Sequence, residues 1–208
     1  MISLSEILHT IAQALMIPCL IILIILMAGA VWQIGDIVVE YIAERRKHKC
    51  NVPQLLRDVH AAGADGLAEL IENSGLLRRQ KKALLELAES RGLPKDTLTA
   101  LAERLLATEE ARNARTTSIT DMIAKLGPMF GLLGTLIPLG PGIVALGQGD
   151  TVTLSESMNV AFDTTIAGVI SAAVASVISH IRKRWYNDDM VSLETLMEAV
   201  LEEVTSDV

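Results

Sequence analysis

From Ile7 to Gly35 the chain carries no Asp, Glu, Lys or Arg, a run of 29 residues with "LIILIILMAGAVW" inside it. About 20 predominantly apolar residues in a helix cross the hydrocarbon of a bilayer. A helix on the outside of a soluble bundle needs a polar stripe for water, and this run has none. A membrane span is therefore the first expectation. A cleaved leader is not expected. The opening "MISLSEILHT" has Glu6 and no basic residue, the apolar run is too long, and no small-residue cleavage site follows it.

Two more uncharged runs follow. One is the 24-residue stretch "LGPMFGLLGTLIPLGPGIVALGQG" from Leu126 to Gly149, and the other is the 18 residues from Thr164 to Ile181, closed by Arg182. The last helix is expected to begin earlier, near Ser157, and so to include Asp163. Three spans in 208 residues, of which 50% are hydrophobic and only 3% aromatic, predict an all-α integral membrane protein.

The basic residues set the expected orientation. Fourteen of the 18 Lys and Arg lie in residues 36–120, Lys125 stands at the entrance to the second span, and Arg182, Lys183 and Arg184 close the third. The N-terminal tail and the 147–156 loop have none. The positive-inside rule then places the N-terminus and that loop outside, and residues 36–120 and the C-terminus in the cytoplasm. The expected organisation is 1–35, outer N-terminus and span one; 36–120, a cytoplasmic helical domain; 121–181, spans two and three; and 182–208, a C-terminal helix. The expected location is the cytoplasmic (inner) membrane. Trp32, Trp185 and Tyr186 fall near span ends, where interfacial aromatics gather.

Residues 36–120 are expected to be helical. "VVEYIAERRKHK" continues the first helix, Pro53 opens the next, Gly92 and Pro94 make a stop, and Asp96 or Thr97 caps a last long helix that runs into span two. This segment is expected to bury little of its own. Residues 191–204 form a short acidic amphipathic helix, with Leu193, Leu196, Met197 and Val200 on the side that packs on it. The "RRKHK" cluster at 45–49 suits anionic headgroups as well as topology.

Several functions are excluded. A net charge of −7 argues against nucleic acid. Cys19 and Cys50 are far apart and are expected to be free thiols. The histidines are scattered, so no metal and no cofactor is expected. There is no Ser-His-Asp arrangement, and "GLLGT" lacks the Lys of a phosphate loop. The chain is not expected to be an enzyme.

What remains is polarity inside the spans. Gly127, Gly131 and Gly134 form a small-residue packing face. Pro138 and Pro141 each free a carbonyl in the preceding turn and are expected to kink span two. Thr164, Gly168, Ala172 and Ala175 repeat at near-turn spacing in span three, as in a tight seam or a hydrated path. Thr135 suits hydrogen bonding to its own helix. Asp163 is an ionisable group near the membrane, either a proton site or a hydrated rim residue.

These motifs resemble the MotA/TolQ/ExbB proton-channel family. "GPMFGLLGTL" at 127–136 is similar to the family's second span, and "LSESMNVAFDTTIAGVISAAVASVI" at 154–178 to its third. Three spans with a cytoplasmic insert between the first two also match, and the short insert resembles the TolQ/ExbB branch. The resemblance implies a homopentamer around two copies of a single-span ExbD/TolR/MotB-like partner whose membrane Asp carries the ion. It implies that Thr135 and Thr165 line the ion path, and that proton (or sodium) flow does work through the partner. The sequence departs from the pattern at Ala173, where TolQ/ExbB-like members usually carry Pro, and at Pro138 and Pro141, where many members have a smoother run. A scaffold that binds a partner helix without ion flow is the alternative.

Overall fold

The computed structural model describes residues 4–45 and 51–206. All regular elements among them are helical: α1 (Leu4–Ala14), α2 (Met16–Glu40) with a π-helical turn at Tyr41–Arg45, α3 (Val52–Asn73), α4 (Arg78–Glu89), α5 (Lys95–Gly147) and α6 (Thr151–Ser206). Three helical stretches are long and apolar enough to cross a membrane; they contain the first and third uncharged runs and the second up to Gly147. The described part of the "RRKHK" cluster ends at Arg45; its remainder, with Cys50, lies outside the described residues.

The chain divides into two compact units. Met1–Asp36 with Thr117–His180 form unit 1, and Ile37–Thr116 with Ile181–Val208 form unit 2. In unit 1 the first run is two helices rather than one. The break falls at Leu15, where Pro18 has no amide proton for the Ala14 carbonyl. Small apolar clusters join the elements: Leu26 and Ala30 of α2 with Ile123 of α5 and Ala175 of α6, and Cys19 and Leu23 with Ile137. Large apolar side chains such as Ile24, Ile25, Trp32, Leu132, Phe162 and Ile166 are exposed. Apolar surface of that extent suits a lipid environment or contact with other helices.

The connection between α5 and α6 is much shorter than the expected 147–156 loop. α5 ends at Gly147, Gly149 takes a positive φ of 79°, and α6 starts at Thr151. Asp150 makes the early start possible. Its carboxylate accepts the amide protons of Val152 and Thr153 at 3.1 Å each and the Thr153 hydroxyl at 2.6 Å, satisfying donors that a helix start leaves over. The Thr153 hydroxyl and amide, followed by the Val152 amide, hold the Asp150 carboxyl below the ordinary carboxylate value. A depressed folded-state pKa contributes stability above the unfolded value of about 4, and loses it as pH falls through the folded one. Amide protection in the first turn of α6, corrected for intrinsic exchange, is therefore expected to persist at neutral pH and fall below about pH 4. In Asp150→Ala it is expected to be low at every pH; equal protection in both proteins would remove the cap.

Unit 2 has its own core, contrary to the expectation that this segment buries little. Leu55, Val59, Leu67, Ile71, Leu84, Leu87 and Leu98 pack with Leu193, Leu196, Met197 and Val200. The last four were expected on the packing side of a separate short helix; that face is as expected, but it belongs to the far end of the continuous α6. Local sequence explains the boundaries. Pro53 stands in the first turn of α3. Gly63 divides that helix at φ 64°, ψ 176° with open space around it, so the backbone and not crowding calls for glycine. Gly92, at φ 99°, follows α4. The start of α5 differs from expectation: the Pro94 carbonyl receives the amides of Thr97 and Leu98, so Asp96 and Thr97 lie inside the first turn, where Asp96 still opposes the helix dipole.

Candidate functional site

Within unit 1, α5 and α6 meet in a close antiparallel seam. A Cβ added to Gly127 would stand 2.6 Å from the Gly168 carbonyl oxygen and 3.0 Å from the Ala172 Cβ. One on Gly168 would stand 2.5 Å from the Gly127 oxygen and 2.8 Å from the Gly131 Cα, and one on Gly134 2.7 Å from the Thr164 Cβ. Backbones this close require residues without side chains. Gly131 differs, since its Cβ would meet Gly168 and Thr164 backbone atoms at 3.4 Å, ordinary contact. Gly127, Gly131, Gly134, Gly168 and Ala172 thus meet in one seam, within one chain.

The threonines fall around this seam. Thr164 is 5% exposed and fills the space beside Gly134, with its hydroxyl donating to the Ala161 carbonyl at 2.9 Å. Thr135 and Thr165 each follow a member of the Gly134–Thr164 contact and so lie at one level. Both are half-buried. The Thr135 hydroxyl donates to the Leu132 carbonyl at 2.6 Å, and that of Thr165 to the Ala161 carbonyl at 3.0 Å. Each hydroxyl gives its proton to its own helix and keeps acceptor lone pairs. Asp163 is exposed. α5 is helical through Pro128, Pro138 and Pro141; the latter two bring no amide proton to the Gly134 and Ile137 carbonyls.

A second polar group lies at the other end of unit 1, and the sequence reading passed over it. Ser179 donates to the Asp121 carboxylate. Thr120 and Gln33 of the same unit are also buried. The available signals were faint: a lone Gln in an apolar run and an Asp four residues ahead of Lys125. In unit 2, Arg182 was expected only to close a span. It is 3% exposed, and its Nε donates to the Glu40 carboxylate at 3.0 Å. Tyr186 beside it has its phenol pushed well above the ordinary value, by burial first and then by Glu40. Cys19 is a buried free thiol whose Sγ donates to the Phe130 carbonyl at 3.4 Å. Among the described residues no three His, Cys, Asp or Glu side chains gather as metal ligands.

A model of the MotA/TolQ/ExbB proton channel family matches residues 70–195, more than half of the chain and all of the α5–α6 seam. The chain belongs to this family. Its members are non-catalytic channel proteins, so the chain is not an enzyme. It is a membrane-embedded helical protein of a channel family, with a fold consistent with ion conduction. No curated protein matches the chain.

Proposed function

We propose that this chain is the channel-forming subunit of a proton-driven, or sodium-driven, motor of the TolQ/ExbB type. Five copies surround two copies of a single-span partner resembling ExbD, TolR or MotB, and a membrane Asp of the partner carries the ion. The N-terminus and the Gln148–Asp150 turn face outward, and unit 2 and the C-terminus face the cytoplasm, as the basic residues direct. The observation that carries the reading is the common level of Thr135 and Thr165 on a hairpin of a channel family. A hydroxyl there, already donating to its own helix, offers lone pairs to a protonated carboxyl and can turn to donate to a charged one. The exposed apolar side chains of α2, α5 and α6 supply surface for assembly and for lipid.

Thr165→Val keeps the shape and removes the hydroxyl, costing a buried carboxylate about 1–3 kcal/mol of hydrogen bonding. In proteoliposomes containing the partner, Thr135→Val and Thr165→Val are expected to assemble as pentamers and to lose most of their proton flux under an imposed pH gradient. Thr164→Val, in the packed seam, is expected to change flux less. Wild-type flux in the first two would leave these hydroxyls as satisfiers of their own helices. A complex that binds its partner and conducts nothing would favour the scaffold.

A further inference from the structure

Among the described residues two buried side-chain polar atoms have no hydrogen-bond partner, Gln33 Oε1 and Thr120 Oγ1. Gln33 is 6% exposed and Thr120 is 0% exposed. Buried polar atoms are nearly always paired with protein or with water. The two belong to one layer. Ala30, Ile123 and Ala175 pack in a single cluster, and a Cβ added to Gly29 would stand 3.1 Å from the Ile123 Cδ1. One helical turn further along α2, back along α5 and on along α6 come Gln33, Thr120 and Ser179, the last 4% exposed. Ser179 donates to Asp121, which follows Thr120 and is half-buried.

We propose that Gln33, Thr120, Asp121 and Ser179 form a hydrated proton relay inside each chain, with water seated between Gln33 Oε1 and Thr120 Oγ1. The chemistry of the two unpaired atoms selects the occupant. An amide oxygen only accepts, a hydroxyl can donate, and they do not bond each other. A water accepts from Thr120 and donates to Gln33, which is the usual role of buried water. Asp121 makes the site a relay and not merely a hydrated pocket. An excess proton arriving at the water is matched by one of the water's own protons passing to the carboxylate, directly or through the Ser179 hydroxyl. The carboxylate then releases that proton to solvent, so one proton enters, one leaves, and every group is restored. Among the described residues of the unit, Asp36, Lys125 and His180 are the other charged or titratable side chains within five positions in sequence of Gln33, Thr120 or Ser179. The relay rests on the channel reading, and it adds a station within the subunit, away from Thr135 and Thr165.

The test uses the full-length complex with its partner. Water-edited solid-state NMR is expected to show transfer from water to the Thr120 side chain in wild type and its loss in Gln33→Leu. Proton flux in proteoliposomes is expected to fall at least tenfold in Asp121→Asn and severalfold in Gln33→Leu and Ser179→Ala, with the oligomer intact by native mass spectrometry. Thr165→Val serves as the control on the main path. A dry Thr120 in wild type overturns the hydration. Normal flux in Asp121→Asn while Thr165→Val is impaired overturns the relay and leaves the channel standing. A wild-type complex that does not conduct overturns both.

Discussion

Gly168→Leu is expected to abolish the α5–α6 hairpin. Even a single methyl at this position meets the Gly127 carbonyl oxygen at 2.5 Å and the Gly131 Cα at 2.8 Å. Both obstacles are backbone, and neither can rotate away. Overpacking a core with movable side chains costs about 1–3 kcal/mol. Here the helices themselves have to separate, which forfeits the contacts at Gly127, Gly131 and Ala172 together. Alanine substitutions grade the effect. Gly168→Ala and Gly127→Ala are expected to be the most damaging, the latter also because a Cβ before Pro128 disfavours the helical backbone. Gly134→Ala is intermediate, since it meets side-chain atoms of Thr164. Gly131→Ala is mild. Gly35→Ala, with open space around it in α2, is expected to be neutral or stabilising by up to about 1 kcal/mol. Unfolding in nanodiscs followed by tryptophan fluorescence checks the order. Equal losses at positions 131 and 168 would show that the seam is looser than these distances require.

Glu40→Ala is expected to destabilise unit 2 by about 1.5–3 kcal/mol, the usual worth of a hydrogen bond between charged groups. Arg182 is almost fully buried, and its guanidinium donates to the Glu40 carboxylate at 3.0 Å. The same carboxylate interacts with Tyr186, so the substitution deprives two groups at once. Glu40→Gln keeps an acceptor without the charge and is expected to fall between. The double change Glu40→Leu with Arg182→Leu removes both charges, and it is expected to recover most of the loss, because apolar replacement of a buried pair is often neutral. Chemical denaturation of the four proteins, analysed as a double-mutant cycle, gives the coupling directly. A loss under about 1 kcal/mol in Glu40→Ala would place this pair with the solvent-screened ones.

The spans, the helical class and the residues of the seam were legible in the chain because their signals are local. A run without charge, glycines at near-turn spacing and a Gly–Pro stop each act over a few residues: they lie in α1 and α2, in the α5–α6 seam and between α4 and α5. The resemblance at residues 127–136 and 154–178 lies within the family match at 70–195. Other features needed the tertiary structure. The Asp150 cap sits in sequence view, yet the length of the loop depended on how far α6 could begin toward it. Which glycine tolerates a methyl depends on whether backbone or side chain faces it across the seam. The core of unit 2 depends on the far end of α6 returning to α3 and α4. Glu40 and Arg182 stand 142 positions apart, and Asp121 and Ser179 stand 58 apart. Hydrophobic period and turn chemistry determine which face of a helix is apolar; only the register between helices decides which polar residue on one meets which on the next.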